Sequence, residues 1–563
     1  MRNPKTKTGI LLILILASLS VTLMGETGLP AIQLPSSIAL EDTVGYIRIK
    51  NLNTLLENLD YWASRINPQM PPNSVRMMVG QYMGDPTLAG LDSARSPMIL
   101  ILNPKKYPNP LVLYLPVKDA AKIQQGIQAK GSFTAVRDQT LIAGDDQSSV
   151  MKGVEYWGKV KSFAAGAMDT DAMVYADVEK LMSLFQEDIK QKIKEFQAQM
   201  SMMQQMQTGQ QNMAAQQKQM EAQMDAAFKM LQELKTFSLK TDVKKEGLLP
   251  TMLLEAKPQS ELASLFSPKK APPSPTLIKM VPDGAVKLSY AGDSEAVAEF
   301  GTKMTDRFMN SGAFTPEQIQ EVKKYQQLQK ETMGDQMAGS LFAPGVSGIN
   351  GVMIYKIKDE KKALELIRQS AKQAMMANNP ASQVKINAKL SENVRKLGDV
   401  NVHKLSVQIS SDNPMAAQSL TMFIPGGVLN FEMAIVDKNL VYSLGTSIDQ
   451  IIKQLKSGSG TTTLAAFSDF SSPGQLNVDI NPLGVVKGIM GPMLAMIAQM
   501  SGSGQNPLAA LDAQLPPITL SGTMNQGKMM GNVNLKLDTI LKMKEAVTSF
   551  QKQMAPPSAP PSP

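Results

Sequence analysis

The feature that most constrains the fold is an internal repeat, because the chain carries one ordered series of strand and helix patterns twice. The first series runs over about residues 36–266 and the second over about 276–547. In both, alternating apolar residues indicate strands, and apolar residues spaced by three and four indicate helices. A chain organised in this way is predicted to fold as two copies of one module.

Five stretches correspond in order between the two series. They are 41–49 with 282–290, 111–119 with 352–359, 139–145 with 438–446, 172–177 with 475–480, and the closing hairpins 236–255 with 517–537. The second pair shares a strand that ends in Val-Lys-Asp or Ile-Lys-Asp, where Asp is a favourable helix N-cap. The predicted fold class is therefore α+β: two tandem copies of a mainly antiparallel sheet, with helices on one face of each sheet.

Each copy also carries a helical insert before its closing hairpin. The insert at 179–235 is rich in Met and Gln, and its apolar spacing predicts a helical hairpin. The insert at 483–515 contains a stretch, 488–500, without any charged residue. A helix that is apolar on all sides is normally buried or meets lipid or a partner, and this one is too short to span a membrane. The Pro-rich segments 267–275 and 555–563 are predicted to be a linker and a disordered tail.

The amino terminus predicts export. Three basic residues, Arg2, Lys5 and Lys7, precede an uncharged and largely apolar stretch. This order is typical of a secretory signal peptide, so residues 1–25 are interpreted as a signal peptide or an uncleaved anchor. The expected location is periplasmic or extracellular, with a membrane tether if the segment is retained.

Composition removes several classes of function. The chain has no cysteine and a single histidine, His403, which argues against disulfides, thiolate sites and His-rich metal sites, and no cofactor or metal is predicted. The net charge of +8 is spread over 57 basic and 49 acidic residues, and lysine pairs such as Lys244-Lys245 stand alone, so no nucleic-acid partner is expected. His403 alternates with apolar neighbours and is predicted to be an exposed strand position.

One set of motifs is similar to that of penicillin-binding enzymes. A Ser-x-x-Lys at 149–152 is followed by Ser-Asp-Asn at 411–413 and Lys-Ser-Gly at 456–458. The first motif recurs at 267–270 and 549–552, and the set crosses the predicted linker. We therefore interpret the three motifs as a helix start, a turn and a helix end.

Three further patterns have simpler interpretations than chemistry. Asp145-Asp146 could form a carboxylate pair, but an acidic pair after Gly144 is more typical of a helix cap. The Met-rich stretch 200–206 could bind copper(I), but it also fits a helix face filled by methionine. The stretch 522–528 has phosphate-loop spacing, but Met529 replaces the hydroxyl residue and the following residues alternate like a strand.

Duplicated strand–helix units behind an export signal resemble exported bacterial envelope proteins of unknown function, and the resemblance implies export and a non-catalytic role. We expect a non-enzymatic binding protein of the cell envelope that holds an apolar ligand or lipid, or an envelope protein partner, through Met-lined helices. The residues expected to make this contact are Met490, Met493, Met496, Ile497 and Met500. Membrane contact is expected only through the N-terminal segment or helix 488–500. The alternatives are a scaffold without a small ligand and a hydrolase based on Ser/Lys or on carboxylates.

Overall fold

A computed structural model defines the fold. It describes residues 38, 40–207, 224–270, 273–309, 316–343, 349–376, 384–411, 417, 420, 424–470, 474–501 and 515–554. The predicted signal segment at 1–25 and the tail at 555–563 therefore lie outside the described residues, as do residues 271 and 272 of the predicted linker at 267–275.

Eighteen strands are present in this part of the chain. They are β1 Thr43–Ile49, β2 Met98–Leu102, β3 Leu111–Pro116, β4 Phe133–Arg137, β5 Thr140–Gly144, β6 Ala172–Asp177, β7 Leu234–Val243, β8 Gly247–Ala256, β9 Val286–Ala291, β10 Met333–Leu341, β11 Gly351–Ile357, β12 Val384–Leu397, β13 Val400–Ser411, β14 Val428–Val436, β15 Asn439–Leu444, β16 Leu476–Ile480, β17 Ile518–Asn525 and β18 Lys528–Lys536.

Helices connect and flank these strands. They are α1 Leu52–Ile66, α2 Ser74–Met83, α3 Ala120–Gln128, α4 Gln147–Ala165, α5 Val178–Gln207, α6 224–233, α7 Glu261–Leu265, α8 Ser294–Met309, α9 Pro316–Thr332, α10 Glu360–Met376, α11 Asp449–Ser457, α12 Ala466–Asp469, α13 Pro482–Ser501 and α14 Leu537–Met554, with 3₁₀ turns at Leu277–Met280 and Pro425–Gly427.

All eighteen strands belong to one antiparallel sheet, which confirms the predicted α+β class. The order across the sheet is β4-β5-β3-β2-β1-β6-β7-β8-β18-β17-β16-β9-β10-β11-β15-β14-β13-β12. The halves meet along β8 and β18, where Leu253 lies opposite Met530. The two sheets expected from the sequence are therefore continuous with each other.

Helices cover both faces of the sheet, so the prediction of helices on one face is wrong. In β3, Tyr114 packs in a cluster with residues of α4, whereas the next residue, Leu115, packs with residues of α1 and α3. In β11, Ile354 packs towards α11 and Tyr355 towards α10. The reason is visible in β2, Met98–Leu102, which is apolar at every position and must be covered on both sides.

The Met/Gln-rich insert forms a long helix as predicted. Helix α5 has 30 residues and is therefore about 45 Å long. Its start packs with α6 and with strands β7 and β8 in one apolar cluster that includes Met182, Phe228 and Phe237. The turn between the arms and the side chains of 200–206, where copper was considered, lie outside what the structure describes.

The single histidine is buried, which corrects the prediction of an exposed position. His403 in β13 is paired with Met433 of β14, and only 5% of its surface is accessible. The prediction was wrong because α10 covers this face of the strand. Burial lowers the pKa of His403, with a smaller opposing effect from Glu392 and a small lowering effect from Arg368.

This burial predicts a pH dependence of stability. Burial makes His403 harder to protonate in the folded chain than in the unfolded chain, where its pKa is about 6.5. The free energy of unfolding should therefore decrease between pH 7 and pH 5, because the unfolded state binds protons more readily there than the native state does. Urea unfolding at several pH values should show a shallower decrease for His403→Gln. An identical slope for both chains would contradict this assignment.

Candidate functional site

Helix α13 contains all five residues that the sequence assigns to ligand or partner contact. It follows β16, and the Asn481 side chain accepts a hydrogen bond from the Gly484 amide at 3.2 Å, which starts the helix. Two glycines let α13 approach the sheet closely. A Cβ at Gly484 would lie 2.6 Å from the Ala285 Cβ, and one at Gly488 would lie 2.2 Å from the Phe342 ring. The first turns of α13 therefore pack closely against the residues that precede β9 and follow β10.

The opposite side of α13 exposes an apolar strip. Val486, Ile489 and Met490 are 40%, 42% and 38% accessible, and their spacing of three and four places them on one face. The helix carries one charged residue, Lys487, in 20 positions. We call Val486, Ile489 and Met490 the α13 strip. An apolar face of this kind on a protein surface is typical of a contact site.

The predicted contact residues have different outcomes. Met490 is exposed and belongs to the α13 strip. Met493, Met496, Ile497 and Met500 lie in the same helix, but their side chains are outside the described part of the structure. Leu483 is buried against α14 in a cluster with Ala546. The helix is thus neither buried on all sides nor detached from the fold.

A cavity lies at the junction of the two halves. It is open to solvent, its volume is about 540 Å³, and it is lined by the end of α1, the β7–β8 turn, β18 and the start of α14. We call it the junction cavity. Tyr61 and Arg65 reach it from α1, Lys244 and Lys245 from the turn, and Leu541 from α14. Its walls therefore come from both halves of the chain.

Hydrogen bonds fix the walls of the junction cavity to one another. The Trp62 indole N–H donates to the Lys244 carbonyl oxygen at 2.8 Å, and the Asn58 side chain donates to the Val243 carbonyl oxygen. The Leu537 amide, at the start of α14, donates to the Glu246 carbonyl oxygen at 2.8 Å. The β7–β8 turn is therefore held between a helix of the first half and a helix of the second.

Charges at the junction cavity are divided unequally between the two signs. Lys536 is paired with Asp469 at 3.0 Å, and Asp538 is paired with Lys542 at 2.9 Å. Lys245 lies 5.8 Å from the centre of the Tyr61 ring, a cation–π contact. Within the described residues, neither Arg65 nor Lys244 has an acidic partner. Glu246 also lines the cavity, so outside the two ion pairs three basic side chains stand against one acidic side chain, a positive surplus.

A second, smaller cavity of about 250 Å³ lies near the start of β7. It is lined by Thr43, Tyr46, Tyr175, Lys180 and Thr236, among others. The Tyr46 and Tyr175 rings stack at 5.2 Å, and burial raises the pKa of Tyr46 above its ordinary value. The Lys180 ammonium lies 3.3–3.4 Å from backbone oxygens of Leu40 and Thr43, so its charge is already used in holding the chain.

The serine and lysine motifs do not form a common site. Ser149 is fully buried, and its hydroxyl donates to the Asn109 carbonyl oxygen at 2.7 Å. Lys152 pairs with Glu155, and Lys456 pairs with Asp399 on the far half of the sheet. Residues 412 and 413 lie outside the described residues. The described members of the set thus have separate structural partners.

The acidic pair caps a helix, as predicted. The Asp146 carboxylate accepts a hydrogen bond from the Ser149 amide at 2.9 Å at the N-terminus of α4. A hydrogen bond from the Ser148 hydroxyl lowers the pKa of Asp146, followed by opposing desolvation and bonds from Ser149. The stretch 522–528 forms the β17–β18 hairpin, with Gln526 and Gly527 at positive φ in its two-residue turn.

The described residues contain neither a cluster of metal-ligating side chains nor a membrane-spanning helix. In that part of the chain, no three His, Asp or Glu side chains converge as a metal site. No helix there has both the length and the apolarity needed to cross a bilayer.

Comparisons with known proteins add no assignment. No protein-family model, curated protein or solved structure matches the chain. The α13 strip and the junction cavity are therefore the two candidate contact sites in the described part of the chain. Of these, the sequence indicated only the first, because Arg65 and Lys244 are roughly 180 positions apart and nothing in their local sequence places them together.

Proposed function

We propose that the chain is an exported, non-enzymatic binding protein of the cell envelope that holds an apolar ligand, in the form of lipid acyl chains, against the α13 strip. The observation that carries the proposal is the exposure of Val486, Ile489 and Met490 on a helix with a single charge. Fully burying a side chain of this type contributes about 1.5–3 kcal/mol. Because about 40% of each of the three is still exposed, covering the remainder would contribute about 2–4 kcal/mol in total.

The position of α13 supports a role in contact rather than in holding the fold together. Gly484, Gly488 and Leu483 already attach the helix to the sheet and to α14. The α13 strip contributes nothing to that attachment, since it points away from it. The N-terminal segment, if it is retained as an anchor, would hold the protein at a membrane.

We further propose that the two halves are tandem copies of one module, as the sequence repeat predicts. Reading towards β8, the first half has the order β4-β5-β3-β2-β1-β6-β7-β8. Reading towards β18, the second has β14-β15-β11-β10-β9-β16-β17-β18, with β12 and β13 added at its edge. Matching strand orders of this length support a common origin.

The comparison of the copies draws attention to α13. Helix α5 follows β6, and α13 follows the corresponding strand β16. Helix α5 has eight charged residues in 30, whereas α13 has one in 20. Two helices in equivalent places that differ so strongly in charge support different tasks, with the apolar one serving as the contact helix.

Lipid binding by the α13 strip can be measured by flotation of the protein with phosphatidylcholine liposomes. The triple variant Val486→Ser, Ile489→Ser, Met490→Ser should bind with an apparent affinity at least about tenfold lower, which appears as a smaller bound fraction at subsaturating lipid. A matched control replaces three exposed apolar residues on separate elements, Met151, Val394 and Val547, by Ser and should bind as the wild type. Equal losses in both variants, or no binding by the wild type, would overturn the proposal.

A further inference from the structure

We infer that the junction cavity is a second binding site, one that takes an amphipathic anion with a carboxylate or phosphate head and an apolar chain. This site lies on other elements than the α13 strip and does not depend on it. Three features of the cavity support this site: its charge, the hydrogen bonds that hold its walls together, and the apolar surface beside the charges.

The charged side chains of the junction cavity favour an anion. Asp469 and Asp538 are occupied by Lys536 and Lys542, which leaves Arg65, Lys244 and Lys245 beside one further acid, Glu246. Three basic side chains against one acidic side chain give the cavity a positive surplus, and a surface with such a surplus attracts ligands of negative charge. Arg and Lys are also the side chains that bind carboxylate and phosphate groups. The head group of the ligand is therefore anionic.

Hydrogen bonds hold together the elements that carry the three cations. The cations come from α1 and from the β7–β8 turn, which the Trp62 indole joins through the Lys244 carbonyl oxygen. The same turn is joined to α14 by the Leu537 amide. The bases of the three cationic side chains are therefore held near one another in the free protein. A site that is already assembled loses less entropy when it binds a ligand.

Apolar side chains line part of the junction cavity beside the cations. Leu537 and Leu541 of α14 and the ring of Tyr61 line the same cavity as the cations. A small inorganic ion would leave this apolar surface exposed to water, whereas a chain attached to the anion would cover it. The volume of about 540 Å³ is within the usual range for small-ligand pockets, about 300–1,000 Å³.

The test uses Trp62 as the reporter, because the chain has two tryptophans and Trp157→Phe leaves Trp62 alone. Octanoate and octyl phosphate are titrated into this full-length protein, and the fluorescence of Trp62 is followed. Octanol supplies the chain without the charge, and inorganic phosphate supplies the charge without the chain. We expect saturable binding of an anion with a chain and at least tenfold weaker binding of octanol and inorganic phosphate. Binding of either amphipathic anion supports the site, and the tighter one identifies the head group.

Two variants separate the site from general electrostatics. In the same background, Lys244→Gln with Lys245→Gln should weaken binding at least tenfold, whereas Lys389→Gln with Lys396→Gln, which removes equal charge from the exposed side of β12, should not change it. All four lysines are exposed, and melting curves verify that the variants are folded. Equal affinities of both double variants, or equal affinity for octanol, would overturn the inference. The triple variant of the α13 strip should bind these ligands normally, so failure at one site is distinguishable from failure at the other.

Discussion

Replacing Asp85 by alanine is expected to lower the free energy of unfolding by about 3 kcal/mol. The Asp85 side chain is 1% accessible and accepts hydrogen bonds of 2.8 Å from the Gly90 amide and the Thr87 hydroxyl. Its third partner is the Lys122 ammonium of α3, also at 2.8 Å. The carboxylate thus joins the end of α2 to the start of α3, and its removal leaves the buried Gly90 amide without its acceptor.

The charge of Asp85 gives this prediction a pH signature. Burial alone would raise the pKa of Asp85, but the bonds from Lys122, Gly90 and Thr87 outweigh it and hold the pKa at about 2, below its ordinary 3.8. The stabilisation is therefore fully present above about pH 4 and is lost as the pH falls towards 2. Urea unfolding should show a smaller loss for Asp85→Asn than for alanine at pH 7. A difference from the wild type that persists unchanged at pH 2 would contradict this account.

Replacing Gly126 by alanine is expected to destabilise the protein by about 2 kcal/mol, although Gly126 lies in a helix. A Cβ at this position would lie 2.5 Å from the Met83 carbonyl oxygen and 2.6 Å from the Gly84 Cα. Gly84 itself is at φ +72° and ends α2. The clash is between backbones, so no side-chain rotation relieves it, and α2 and α3 would have to separate.

The same substitution at Gly158 should have the opposite effect on stability. Gly158 lies in α4, and a Cβ there would meet no atom within 4 Å. Alanine is favoured over glycine in a helix by about 1 kcal/mol, so Gly158→Ala should stabilise the protein. Thermal and urea unfolding of Gly126→Ala and Gly158→Ala, each compared with the wild type, measures both changes in stability. Destabilisation by both would indicate a general intolerance of change in helices rather than the close contact of α2 and α3.

The local structure could largely be predicted from the sequence. Alternation located β1, β9 and the closing hairpins, and steps of three and four residues located α5. The capping role of Asp146 also followed from local chemistry, because an acidic residue before a helix accepts its free amides. These features depend on neighbours in the sequence, which a pattern contains directly.

The arrangement of these elements could not be predicted in the same way. The pairing of Leu253 with Met530 joins residues far apart in the chain, and nothing in either strand specifies the partner. The uniform apolarity of Met98–Leu102 indicates burial on both sides of the sheet, which the prediction of helices on one face did not include. The burial of His403 follows from that missed second layer.

The α13 strip and the junction cavity also differ in how far the sequence could predict them. Met490 could be assigned to a contact helix because the charge-free stretch around it is continuous in the sequence. The junction cavity needs Arg65 of α1 beside Lys244 of a distant turn and Leu541 of the last helix. That combination arises only when β8 and β18 join the halves, so it required the sheet order.

The most direct test of lipid binding by α13 uses the absence of cysteine from the chain. Met490→Cys, labelled with an environment-sensitive fluorophore, is titrated with phosphatidylcholine liposomes beside Val547→Cys, an exposed apolar position on α14. The account predicts a saturable blue shift of the emission at position 490 and none at position 547. No shift at position 490, or equal shifts at both positions, would contradict it.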